Sequence, residues 1–401
     1  MLSCGRRTLA VITNDMSLRA CGDNTAGQLG IKRKESVPFL SSVSWPGRRE
    51  VQIKMVSGSE NFIAAVDETG QVWASCSFPR KPSHAGSMSI LETVWPPTRV
   101  IFVATGAQHC MALTEDMCVL GAGKNWSGQL GTGDTVGRHK LCPVYHGPTT
   151  GTSTMVACGS YFSVILSQDG SVRTCGQYSS LCLCKQSLLD DNNPALFDFN
   201  NLDVDDNNLG ACVDILEPTL TATFSPDKVE YIAAGTSHVV AIAAGALYTW
   251  GQNSSGQLGV GTFEDQRLPV RIGGEDVFGS PVRIAVANEH HTLVLTEKRV
   301  LYGFGNAAHG RIGLPRPFPG ANLAAYVLSP MQVSMENFGK RRVSTISAGK
   351  GHSAALTEDG RVYTWGQAST NEYSGTVPSA LAQPAIMHYQ AVPLLVPYRL
   401  F

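Results

Sequence analysis

Short apolar runs alternate with glycine-marked polar turns along the whole chain, and no apolar run reaches the length of a membrane-spanning helix. The clearest unit begins at Ser347. Ser353 to Leu356 reads as a strand, Glu358-Asp359-Gly360 as a tight turn, and Arg361 to Trp365 as the return strand. A further strand, Val343 to Ser347, leads into it and ends at Gly349.

The unit recurs. Its lead position falls at Gly5, Gly58, Gly106, Gly159, Gly235, Asn288 and Gly349, about 50 residues apart except for one step of 76. Asn288 fits such a slot if the backbone there is left-handed, since Asn tolerates that region best after Gly. Each lead residue is followed by a hairpin turn, from Asn14-Asp15 in the first unit to Asp359-Gly360 in the last. Gly-Gln-Leu-Gly follows in three units, at 27–30, 128–131 and 256–259, with a degenerate Gly310-Arg311-Ile312-Gly313 in a fourth. Repeats of this length and strand content predict an all-β, seven-bladed β-propeller forming a single domain over 1–401. A WD-type repeat would need Trp-Asp, whereas the tryptophan here is followed by glycine, and a kelch repeat would need a double glycine ahead of spaced aromatics in each unit.

Gly-x-x-His-Ser/Thr, a Trp-Gly-like strand end and Gly-Gln-Leu-Gly together resemble the repeat of the regulator of chromosome condensation family. The resemblance covers nearly the whole chain. The first unit has only Met1 to Cys4 ahead of its lead glycine. Pro397-Tyr398-Arg399-Leu400 parallels Pro269-Val270-Arg271-Ile272, so residues 390–401 are expected to complete the first blade and close the ring without a free sheet edge.

Net charge is −1, which gives no whole-protein electrostatic grip on DNA or an anionic membrane. Neither nucleic acid nor membrane is expected as a partner. Eleven cysteines without a CxxC pair point to reduced thiols in a cytoplasmic or nuclear protein. The charge is unevenly spread. Residues 1–55 carry nine Lys/Arg against four Asp/Glu, including Lys32-Arg33-Lys34. The 76-residue step holds an insertion within 177–226, with eight acidic residues and one lysine between Lys185 and Glu217. Asp190, Asp191, Asp205 and Asp206 make it a candidate contact for a basic partner, or else a solvated loop.

Histidines recur at one slot: His109, His238, His291 and His352. They lie on different blades, so no metal site is expected; each is expected to hydrogen-bond backbone within its own blade. No Gly-x-Ser-x-Gly elbow or phosphate-binding Gly-Lys-Ser/Thr loop occurs, and no catalytic residue, cofactor or metal is expected. The residue before the repeated histidine varies instead: Arg7, Glu60, Gln108, Tyr161, Ser237, His290 and Gly351. Equivalent loops of a propeller share one face, so this slot forms a candidate ring for binding a partner protein.

The resemblance implies a second reading. The family's namesake is an exchange factor for the small GTPase Ran, with functional Asp residues at this slot in two blades and His in a later one. His290-His291 resembles the later blade, but Gln108 and Tyr161 stand where the Asp residues would be. The expectation is therefore a monomeric, non-enzymatic interaction scaffold; a guanine-nucleotide exchange factor for a Ran-like GTPase, acting without covalent chemistry, is the alternative.

Overall fold

The computed structural model describes residues 1–48, 50–75, 87–94, 98–144, 152–177, 214–222, 224, 228–314, 326–367 and 389–395. Within them lie seven four-stranded antiparallel sheets, spanning 2–42, 53–90, 100–143, 153–222, 229–273, 282–332 and 343–395. These are blades 1 to 7. Each sheet runs in chain order from the axis outwards; blade 1 consists of Leu2–Cys4, Thr8–Ile12, Leu18–Gly22 and Val37–Ser42. Second strands are buried throughout, as in His109–Thr114 and His238–Ala243, because neighbouring blades cover both of their faces. The largest core side chains, among them Trp250, Phe304 and Phe338, are sealed where adjacent blades meet. Burying each contributes about 2–3 kcal/mol.

The ring closes differently from the expectation. Leu2–Cys4 already pairs with Thr8–Ile12 as the innermost strand of blade 1, so that edge has no vacancy for a C-terminal strand. Tyr389–Leu395 pairs instead with the third strand of blade 7, through Tyr363↔Leu395 and Gly366↔Gln390. Pro269–Ile272 itself lies in a fourth strand, Gln266–Gly273. The strand that fills this role at the C-terminus belongs to the last blade; residues 396–401 lie outside the described residues. Blades 7 and 1 join laterally. Cys4 N–H donates to Ser347 Oγ at 2.9 Å, and Leu2, Leu9 and Val11 share a cluster with Ala354 and Val362.

The lead glycines also serve a different purpose from the one expected. None has positive φ. What excludes a side chain is proximity: a Cβ on Gly235 would lie 2.5 Å from Asn288 O and 2.5 Å from the His238 ring, and one on Gly349 would lie 2.4 Å from Gly5 O. The left-handed residue is the glycine ending the third strand, for example Gly251 at φ 107°. That bend lets the next N–H reach back across the blade, as Gln252 N–H does to Ser237 O at 2.8 Å.

Candidate partner-binding face

Loops between first and second strands, and between third and fourth strands, emerge on the same face of the ring. They are tied together there. The carbonyl of the slot before the repeated histidine accepts from the third-to-fourth loop in six blades; Lys124 N–H to Gln108 O (2.8 Å), Gln177 N–H to Tyr161 O (2.8 Å) and Asn306 N–H to His290 O (2.7 Å) are examples. The slot is therefore held rigidly at its backbone while its side chains are free to differ.

The register defines the slot through a recurring bond from the lead N–H to the carbonyl three residues on. Gly5 bonds Thr8, Gly106 bonds His109, and Asn288 bonds His291. In blade 2 the bond runs from Ser59 to Phe62. The lead is therefore Ser59 rather than Gly58, and the slot holds Asn61 rather than Glu60. The corrected slot reads Arg7, Asn61, Gln108, Tyr161, Ser237, His290 and Gly351. Arg7, Asn61 and Tyr161 are exposed; Gln108, Ser237 and His290 are half-buried; Gly351 is buried. Asp190, Asp191, Asp205 and Asp206 lie outside the described residues.

Glu60 belongs to a second ring one position earlier: Arg6, Glu60, Ala107, Ser160, Thr236, Glu289 and Lys350. These line the mouth of a central cavity of about 460 Å³. Two ion pairs cross between neighbouring blades there, Arg6–Glu60 and Lys350–Glu289, each at 2.7 Å. Sequence reading missed this ring, although its column carries charge in blades 1, 2, 6 and 7 and small neutral residues in blades 3 to 5. Around blade 6, His290 Nδ1 lies 3.3 Å from Ser255 Oγ, and Nε2 lies 3.6 Å from Glu289 Oε1. Burial lowers the pKa of His290 against the opposing pull of Glu289, with Arg311 and Lys350 lowering it further. Arg311 replaces the Gln of the loop motif. It is almost fully buried, and its guanidinium donates to Ala308 O (3.1 Å) and Lys350 O (3.2 Å).

The repeated histidines are structural, and they reach further than expected. Each side chain crosses to the following blade. His109 Nε2 meets Ser163 Oγ at 2.9 Å, His238 Nε2 meets Thr292 Oγ1 at 3.0 Å, and His291 Nε2 meets Ser353 Oγ at 2.9 Å. Those hydroxyls donate their only proton onward, to Gln129 O (2.7 Å), Gln257 O (2.8 Å) and Arg311 O (2.8 Å). Each hydroxyl must then accept from the ring, so Nε2 carries the proton and the partnerless Nδ1 does not. Burial pushes the pKa of His109 down to about 4 and that of His238 down to about 3, and the imidazoles stay neutral. Among the described residues no three His, Cys, Asp or Glu side chains are grouped to hold a metal.

The Gly-Gln-Leu-Gly loops complete this relay. Gln129 Oε1 accepts from Ser127 N–H at 2.9 Å, and Asn125 Oδ1 accepts from Leu130 N–H at 2.8 Å, which fixes the loop and aims the Gln129 carbonyl at blade 4. In blade 1 the same carbonyl, Gln28 O, receives Ser75 Oγ of blade 2 at 2.6 Å. The loops are scaffold, and the slot residues stand above them on a rigid platform.

A model described as "RCC1-like domain" matches residues 92–388. The chain belongs to the RCC1-like domain family. It is 27% identical over 376 residues to the ultraviolet-B receptor UVR8 of Arabidopsis thaliana, covering 91% of this chain and 76% of that one. It is 27% identical over 294 residues to the secretion-regulating guanine nucleotide exchange factor of Mus musculus, covering 71% of this chain and 55% of that protein. Yeast RCC1 (Prp20), solved bound to Kap60, superposes with a TM-score of 0.72 at 20% identity, over 99% of this chain and 85% of that one. Human WBSCR16 gives 0.72 at 20% identity, over 89% and 86%. These structures share the RCC1-type propeller, and no helix among the described residues of this chain is long and apolar enough to cross a membrane.

Proposed function

We propose that this RCC1-like propeller is a non-enzymatic protein-binding module, acting in the cytosol or nucleus, that recognises a partner protein through the loop face. One observation carries this reading. In the same loops, adjacent positions divide into a buried one that joins blades and one that differs in every blade and is exposed or half-buried in six of them. Tyr161 is 39% exposed on a fixed backbone, the setting in which aromatic anchors contribute most to interfaces. Arg7, Gln108, Ser237 and His290 complete the surface, and the acidic stretch of sequence between Gln177 and Asp214 is proposed as a second contact.

A small-GTPase exchange factor is the alternative. It is supported by the mouse relative's name and by His290, which stands before the repeated His291. Against it, Gln108 and Tyr161 supply no carboxylate at the two slots where the resemblance requires one. Ran loaded with fluorescent GDP separates the readings. The scaffold reading expects no acceleration of nucleotide release by the purified chain. Acceleration by orders of magnitude, abolished in His290→Ala, would establish exchange activity instead.

A further inference from the structure

The loop face is not uniform in chemistry. Its sector over blades 1 to 4 exposes Arg7, Lys32, Arg33, Lys34 and Lys124. Among the described residues none of these five takes part in an ion pair, whereas Arg6 is engaged by Glu60 and Arg138 by Asp134. The neighbouring acids outside ion pairs are Asp23, Glu35 and Glu217, the last exposed beside Gly133 of the blade 3 loop. Asp23 is turned onto Thr25 (2.8 Å), and Glu35 is exposed beside Lys34. Lys32 to Lys34 are held in place because Asn24 Nδ2 donates to Ile31 O at 3.0 Å and also to Arg33 O.

Apolar surface adjoins Lys124. Trp126 is 61% exposed and Val136 60%. Lys124 Nζ lies 4.6 Å from the Trp126 ring centroid, a cation–π contact that keeps the ammonium on the patch. A Cβ on Gly137 would lie 3.8 Å from Lys124 Cα, which places Val136 beside Lys124. In the blade 5 loop, Ser255 touches the slot residue of the next blade, His290. Ser127 is its equivalent in the blade 3 loop, so the loop that carries Trp126 faces the blade 4 slot, where Tyr161 is exposed. A large exposed indole carrying Lys124, on the same loop face as Tyr161 and the Lys32–Lys34 stretch, marks a contact surface.

Resting on the protein-binding reading above, we infer that this sector receives an acidic segment of a partner protein. An apolar side chain of the segment seats on Trp126, Tyr161 and Val136, and its carboxylates meet Lys124 and the Lys32–Lys34 stretch. Single-stranded nucleic acid also combines stacking with cations. The aliphatic Val136 and the chain's net charge of −1 favour the peptide.

The test uses the full chain and a short fluorescein-labelled peptide of Asp and Glu interspersed with Leu and Phe, followed by anisotropy. A thymidine oligonucleotide and a Lys-rich peptide run in parallel. Saturable binding of the acidic peptide is expected, weakened at least about tenfold by Trp126→Ala and by the combined Lys32→Glu, Arg33→Glu, Lys34→Glu variant, with melting temperatures unchanged. Raised salt should weaken it further. Absence of binding, binding indifferent to both variants, or tighter binding of the oligonucleotide would overturn the inference. If the acidic peptide is refused while a partner captured from cell extract is lost on Tyr161→Ala, the face still binds protein and only the acidic occupant falls. If the captured partner is also indifferent to Tyr161→Ala, the protein-binding reading falls with it.

Discussion

His290 and His291 are neighbours in one loop but belong to two regions of the molecule. His291 is fully buried and joined to Ser353 of the next blade; His290 sits on the loop face among Glu289, Ser255 and Lys350. The same division runs round the ring. His109, His238, His291 and His352 stay the same because a blade interface needs one donor of fixed geometry. Gln108, Ser237 and His290 differ because the scaffold fixes the backbone of this slot and asks for no single side chain; at Gly351 a Cβ would lie 2.8 Å from Gln367 Oε1. A second contrast lies within the buried region. Where a blade carries the Gly-Gln-Leu-Gly loop or its degenerate form, the next blade supplies a hydroxyl: Ser75, Ser163, Thr292 or Ser353. Ser75 lies on the third strand of blade 2, the other three on second strands; blades 2, 4 and 7 lack the motif, and the positions equivalent to Ser163 in the blades that follow them hold Cys110, Val239 and Leu9. The loop, the hydroxyl and the interface form one unit, because a hydroxyl buried there without the carbonyl would go unpaired.

The largest effect should come from breaking the relay. His238→Ala removes a buried ring and the hydrogen bond it gives to Thr292 Oγ1, and should lower unfolding free energy by about 3–5 kcal/mol in urea titrations. Acid should act on all the buried histidines together. Burial holds His109 and His352 down to about 4 and His238 to about 3, against an ordinary value of 6.5. The unfolded chain therefore binds more protons between those limits. Stability should be full above about pH 6.5 and fall steadily as pH drops towards 4. Carboxylates held low by turn hydrogen bonds, such as Asp15, titrate below that window. A flat urea midpoint between about pH 7 and pH 5 would show that the imidazoles are not buried neutral.

An intermediate effect tests the second contrast. Val239→Ser puts a hydroxyl into an interface that lacks the loop and should cost about 1–3 kcal/mol. Ser163→Ala should cost a similar amount by orphaning His109 and Gln129 O. If Val239→Ser proved neutral, the pairing of loop and hydroxyl would be incidental. The smallest effect belongs to the opposite face, where the second-to-third hairpins turn. Met117 occupies a left-handed position at φ 62°, where other blades have Gly70 and Gly170. Met117→Gly should raise stability by up to about 1 kcal/mol, read as a small rise in melting temperature, with no change in partner binding.

The propeller was legible because each repeated glycine marks a backbone approach that tolerates no side chain, so the period survives divergence elsewhere. The physical reason assigned to the lead glycine was wrong in kind: crowding by His238 and Asn288 O sets Gly235, not its φ. Register failed where the marker histidine is replaced. Phe62 stands in blade 2, two small residues precede it, and the slot slipped from Asn61 to Glu60. The C-terminal segment was assigned to blade 1, whereas Tyr389–Leu395 pairs in blade 7, because Leu2–Cys4 is too short to read as a strand by pattern alone. Contacts between blades, such as Arg6–Glu60 and His109–Ser163, join residues some 54 apart and leave no local trace. Trp126 and Lys124 were passed over because they sit in a loop whose glycines signal structure.

The division between scaffold and recognition is tested most directly by one paired measurement, the urea-unfolding free energies of His290→Ala and His291→Ala at neutral pH. His291→Ala should lose about 3 kcal/mol or more, and His290→Ala should stay within about 0.5 kcal/mol of the parent chain. Equal losses, or a larger loss at His290, would mean that the exposed slot is itself part of the scaffold, and the account would fail.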